Sequence, residues 1–134
     1  MTEPRWLLLR DILFLHEQQI QRFGGLPGVR DLNAVESAIA RPQQKAAYGD
    51  PDLSELAAAY GFGLARNHGF SDGNKRVAFA ALATFLKING HELTAPEPDA
   101  IETMLGVAAG EMGEPDLAVW IRRWAAPRGE KSAS

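Results

Sequence analysis

The 134 residues contain no cysteine, which excludes disulfides, thiol nucleophiles and cysteine-based metal sites and is compatible with a reducing compartment. An excess of positive charge is also missing, since 14 Lys and Arg face 17 Asp and Glu for a formal net charge of -3. Such a chain offers no broad electrostatic footprint to nucleic acid or to an anionic membrane, so any phosphate it binds has to be held locally. Nowhere does an uncharged apolar run approach the ~18 residues of a membrane span. The one apolar stretch at the start, MTEPRWLLLRDILFL, is broken by Arg10 and Asp11, and no small-residue cleavage site follows it. No membrane association and a cytoplasmic location are expected. Internal repeats and strand-type alternation are absent as well, which leaves a compact all-α domain.

What is present is average in bulk: 46% hydrophobic and 23% charged residues fit one soluble globular domain rather than a disordered chain. Leu8, Ile12, Leu15, Gln19 and Phe23 follow helical spacing and predict a first helix over 5–23, stopped by Gly24 and Gly25. A GLPG turn follows. Asp31 caps a second helix carrying Leu32, Val35 and Ile39, which Pro42 should end. After a polar loop, PQQKAAYGD, Pro51 sits in the first turn of a third helix with Leu53, Leu56, Ala57, Tyr60 and Leu64, reaching about Asn67. The run NKRVAFAALATFLKING predicts a fourth, closed by Gly90. Apolar nearly all round, it is expected to be the buried central helix. HEL after Gly90 is too short to assign. Ile101, Met104, Leu105 and Ala108 mark a fifth helix, and Pro115 opens a sixth with Leu117, Trp120, Ile121 and Trp124. The expectation is one domain over 1–126 with a disordered tail over 127–134.

Nine residues, HGFSDGNKR at 68–76, break a local rule. Helix N-termini carry roughly half a positive charge, and cations placed there cost a few tenths of a kcal/mol each, yet Lys75 and Arg76 open the fourth helix. The conflict disappears if their partner is an anion that the dipole and the free N–H groups also attract. Asp72 is suited to a divalent cation bridging phosphates. Asn74 can donate its amide to another oxygen, and His68 is the group there whose ordinary pKa suits proton transfer near neutrality. Taken singly, Asp72 reads as a helix cap, SDGN as a turn, the cations as solvated surface and the histidine as structural. All of them on one loop feeding a buried helix favour an anion site. Other candidates are weaker. GFGLAR at Gly61 lacks the third glycine and the strand of a dinucleotide fingerprint, so close helix packing explains it better. His16 and Glu17 lack a second histidine at zinc spacing, and His16, His68 and His91 are scattered.

HGFSDGNKR resembles the signature of the Fic and death-on-curing family, a His, any residue, Phe, two variable positions, then Gly-Asn-Gly/Lys-Arg at a helix start. LHEQQIQRFGGLPGVRDLNAVESAIARPQ, ELAAAYGFGLARNHGF and ALATFLKINGHEL are similar to the death-on-curing branch, and the likeness covers roughly residues 5–124. The resemblance implies the Fic/death-on-curing fold, about six helices around a central one. It implies His68 as general base, Asp72 as holder of Mg²⁺, Gly73, Asn74, Lys75 and Arg76 as the ATP phosphate site, and Phe70 as a buried anchor. In AMP-transferring Fic enzymes the position of Lys75 is glycine and that of Phe79 a second arginine. Both departures favour the death-on-curing type, a toxin that passes the terminal phosphate of ATP to a Thr or Ser hydroxyl of elongation factor Tu. Gly73, where that branch's best-known toxin has alanine, is the more Fic-like feature. AMP transfer is therefore the first alternative, and an inert partner-binding module the second. Self-restrained Fic proteins resemble one another in a Ser/Thr-x-x-x-Glu-Gly/Asn helix, and no Ser or Thr here is followed by Glu at that distance. Restraint by a separate small antitoxin is what the likeness implies.

Overall fold

Side-chain capping sets the starts of two of the helices. The computed structural model describes residues 3–128, in the order α1 (Leu9–Phe23), α2 (Leu32–Ala47), α3 (Leu53–Asn67), α4 (Asn74–Ile88), β1 (His91–Leu93), α5 (Glu97–Ala108), α6 (Glu114–Trp124) and β2 (Ala125–Pro127). Asp31 accepts from the Ala34 N–H at 3.2 Å and starts α2. Asp52 and Glu55 form a reciprocal box at 2.8 Å in both directions and start α3, so Pro51 lies just outside the helix rather than in its first turn. The all-α expectation holds apart from one two-stranded antiparallel ladder, in which His91 faces Pro127 and Leu93 faces Ala125.

Further expectations need correction. The first helix begins at Leu9, not residue 5, because residues 5–8 form an extended strap whose backbone is taken up by distant side chains. Asn89 accepts from the Arg5 N–H at 2.8 Å and donates to the Arg5 carbonyl at 3.0 Å. The Tyr60 hydroxyl accepts from the Leu7 N–H at 2.9 Å and donates to the Leu7 carbonyl at 3.3 Å. Pro42 does not end α2. It lies buried inside the helix, which continues to Ala47, so much of the segment expected as a polar loop is helical. Arg41 and Lys45, on either side of the proline, both ion-pair with Glu114 of α6, and Ala46 packs on the core. These contacts hold the last turn despite the missing donor. At the other end of the chain, β2 includes Pro127, and Arg128 donates to the Gly90 carbonyl at 2.9 Å. The start of the expected tail is thus built into the fold, while residues 129–134 lie outside the described residues.

The central helix is α3 more than α4. Ten of its residues are buried, and α2, α4, α5 and α6 all pack against it. Its glycines allow close approach: a Cβ on Gly61 would stand 2.6 Å from Leu82 Cδ2, and one on Gly63 3.2 Å from the Ala38 Cα. The α4 side carrying Phe79 and Ala83 is only half-buried. The core centres on Tyr60, Phe70, Phe85, Leu56, Leu82 and Ile121, with Tyr60 and Phe85 5.1 Å apart and Trp6 of the strap stacked on Phe85 at 6.0 Å.

Burial pushes the Tyr60 hydroxyl pKa up to about 12, and both polar groups of the buried Leu7 depend on that hydroxyl. Replacing Tyr60 with Phe keeps the ring and strands those groups. Tyr60→Phe is expected to lose about 1–3 kcal/mol of stability, read as a lower urea midpoint at unchanged slope.

Candidate active site

The site forms where the C-terminus of α3 meets the N-terminus of α4 alongside the α1–α2 connection. Gly69 is the closest approach: a Cβ there would collide with Val35 Cγ2 and stand 3.3 Å from the Asp31 carbonyl. The Gly69 carbonyl accepts from the N–H groups of Arg30 at 2.8 Å and Asp31 at 3.0 Å. Val29 bridges Phe70, and the Ser71 N–H donates to the Gly28 carbonyl at 3.2 Å. His68, just before, caps α3 in the left-handed region at φ 53° and ψ 45°, alone among the described non-glycine residues. Its carbonyl is held by Arg30 Nη2 at 2.7 Å, while its imidazole is exposed. A strained residue held by its surroundings and presenting a titratable ring to solvent is a feature of functional loops.

Beyond His68 the loop has an inward and an outward side. Phe70, 2% exposed, faces inward. The Asn74 side chain accepts from the Phe70 N–H at 3.1 Å and donates to the Phe70 carbonyl at 3.0 Å. One N–H of the Asn74 amide is therefore used within the loop and the other is left for a ligand. Outward lies the Asp72 carboxylate, which accepts from the Gly73 N–H at 2.8 Å and from the Leu26 N–H at 3.2 Å. The Gly73 bond first, then the Leu26 bond, with smaller help from Arg76 and Lys75, hold its pKa below the ordinary value. Asp72 is ionised at neutral pH, and each oxygen keeps a free lone pair.

Gly73 is the N-cap of α4 at φ 77°, with no side-chain cap and no acid in the first turn. The first N–H of α4 to find an acceptor is that of Val77, on the Gly73 carbonyl at 2.9 Å. The N–H groups of Asn74, Lys75 and Arg76 are thus open to an anion. Lys75 is exposed beside them. Arg76 departs from the expectation that both cations are uncompensated. Its Nη2 donates to the Gly24 carbonyl at 3.1 Å, and its guanidinium lies 5.6 Å from the centre of the Phe23 ring. It therefore sits at the negative end of α1. The same Nη2 is 3.5 Å from where a Cβ on Gly73 would stand, which keeps the charge at the α4 N-cap.

Among the described residues no group of three or more His, Cys, Asp or Glu side chains is arranged to hold a metal. The Asp72 carboxylate, beside the open N–H groups of α4, would fit Mg²⁺ only together with ligands from a bound phosphate and water. A cleft of about 1210 Å³ lies elsewhere, between the N-terminal strap and the N-terminus of α3, and none of the motif's residues lines it. It is at the end of α3 opposite His68, ~22 Å away by helix rise.

Comparison with known proteins matches the Fic/DOC family over residues 6–86. The chain belongs to the Fic/DOC family. The protein kinase doc of Escherichia phage P1 is 37% identical over 114 residues, covering 84% of this chain and 90% of that protein. The toxin Doc of Mycolicibacterium smegmatis is 46% identical over 90 residues, covering 65% of this chain and 69% of that protein. The family match takes in α1 to α3, the whole motif and α4 as far as Leu86, and leaves α5 and α6 beyond it. Among the described residues no helix is long and apolar enough to cross a membrane.

Sequence reasoning did not find His16, Arg30 or the Gly25–Leu26 backbone, all of which touch or brace the motif loop. His16 was legible only as half of a failed zinc pair. The glycine-dense turn at 24–28 was the one local hint that backbone approaches something closely there. The two cations should now behave differently. In the unliganded protein, Lys75→Ala is expected to leave stability unchanged or raise it by a few tenths of a kcal/mol. Arg76→Ala is expected to lower it by roughly 0.5–1.5 kcal/mol, through the lost Gly24 bond and α1 dipole contact. Urea denaturation of both variants reads the two signs.

Proposed function

We propose that this Fic/DOC chain is the toxin of a toxin–antitoxin pair and transfers the terminal phosphate of ATP to a Thr or Ser hydroxyl of a translation factor, with elongation factor Tu as the expected target. The observation that carries the reading is the uncapped α4 N-terminus. Three open N–H groups, Lys75 and Arg76 converge there beside an ionised, outward-facing Asp72. The names of the two relatives, a protein kinase and a toxin, support it.

In this reading the α4 N-terminus and Lys75 hold the phosphate chain and offset its charge, and Arg76 keeps a fixed positive charge at the cap. Asp72 would hold Mg²⁺, which would supply positive charge to offset that of the phosphates. His68 takes the proton of the target hydroxyl as its oxygen bonds to the terminal phosphorus. The bond from that phosphorus to the bridging oxygen breaks, and ADP leaves with the electron pair. Phosphoryl transfer of this kind depends on positioning and charge neutralisation more than on covalent chemistry. Gly73, which puts no side chain at the α4 N-cap, is the one feature that favours AMP transfer instead. Lys75 fills volume that a glycine would leave free, and half-buried Phe79 offers no charge.

Incubation with γ-labelled ATP, Mg²⁺ and a bacterial extract is expected to label one protein. The mass increment of the product distinguishes phosphate from a whole nucleotide. His68→Ala should remain folded and transfer about 10²–10⁴ times more slowly, and full activity in the folded variant would remove His68 from the mechanism. In cells, expression of the chain alone is expected to arrest bacterial growth, and co-expression of its neighbouring open reading frame to restore it. Normal growth at high levels of soluble protein would favour an inert partner-binding module.

A further inference from the structure

We propose that His16 of α1 is a positioning residue of this site: its Nε2–H holds the Asp72 carbonyl inward, which sets the Gly73 turn and leaves the Asp72 carboxylate and the α4 N-terminus aimed at one ligand. The inference rests on the phosphate-transfer reading and deepens it.

His16 is 4% exposed and, with Ile12, is one of the two residues that α1 buries. Its Nε2 lies 2.7 Å from the Asp72 carbonyl oxygen, across 56 residues of sequence. A carbonyl only accepts, so Nε2 carries the hydrogen and the contact selects the tautomer. The ring stacks on Phe70, with centroids 3.9 Å apart and planes 15° from parallel. Nε2 is also 3.6 Å from where a Cβ on Gly73 would stand. One imidazole therefore underlies Phe70, Asp72 and Gly73 together.

Packing alone does not call for a polar ring at this place. A leucine or phenylalanine fills such a volume, whereas an imidazole is buried without penalty only when hydrogen-bonded. The bond goes to the one residue of the loop whose side chain must point the other way. With its carbonyl fixed inward, Asp72 turns both carboxylate oxygens to the Gly73 and Leu26 N–H groups. The following residue is left in the left-handed conformation from which α4 begins. A loop released from His16 loses that coupling between its two sides. A displacement of ~1 Å is enough to lower transfer by about 10²-fold.

Two variants separate donor from filler. His16→Phe keeps the stacked ring and deletes the donor. His16→Gln places an amide N–H the same number of bonds from Cβ as Nε2 and deletes the ring. In folded His16→Phe, the Gly73 and Leu26 amide protons, which bond the Asp72 carboxylate, should exchange with solvent faster by NMR, and transfer from ATP should fall about 10–100-fold. His16→Gln should recover most of both. Unchanged amide exchange and transfer in His16→Phe, or a His16→Gln protein no better than His16→Phe, overturns the inference. If the parent chain transfers nothing, the phosphate-transfer reading fails, and the amide exchange in the variants still decides the role of His16. If His16→Phe does not fold, the long-range ¹H–¹⁵N spectrum of the parent decides it. A proton on Nε2, with the Gly73 and Leu26 protection kept in His16→Gln, upholds the role, and a proton on Nδ1 ends it.

Discussion

Gly69 is where α2, α3 and the motif loop meet, and its lack of a side chain is the constraint on which the site depends. Any Cβ there would collide with Val35, and the resulting proximity lets one carbonyl take two N–H groups from the start of α2. That pairing pulls the α1–α2 connection against the loop. It obliges His68 to turn through the left-handed region and brings Leu26 within reach of Asp72. Without it, α3 and α4 would remain a helical hairpin, but the residues between them would have no common frame.

The loop then divides its groups by direction. Phe70, one N–H of the Asn74 amide and the Asp72 carbonyl are used inward, where they tie the loop to α1 and to itself. The His68 ring, the Asp72 carboxylate, Lys75 and the open N–H groups of α4 are left outward. A chain with net charge -3 thereby keeps a small positive site whose charge comes from backbone dipole and two side chains rather than from a basic surface. Arg76 belongs to both sides: its guanidinium closes the end of α1 and stays beside Gly73. The cation that looked misplaced along the sequence is compensated by a second helix that sequence order places far away.

Local rules account for most of the helical framework. Asp31 was legible as a cap because a cap bonds within three residues, and Gly90 as a terminator for the same reason. The failures share a cause. Pro42 reads as a stop until Glu114 is seen to hold Arg41 and Lys45. Residues 5–8 read as helix until Asn89 and Tyr60 take their backbone groups. Pro127 reads as tail until β1 is beside it. In each case a contact between distant segments overrides a local preference.

The same division holds for the site. The order His68, Phe70, Asp72, Gly73, Asn74, Lys75, Arg76 was determined by the sequence alone, since one turn followed by one helix start brings those residues together wherever they occur. Family membership was legible for that reason as well. Which way each group faces was decided only by the tertiary structure, because direction depends on what lies behind the loop. His16, Arg30 and Gly24 lie behind it, between 38 and 56 residues away from their partners. Helical spacing within α1 carries no information about which carbonyl will meet His16.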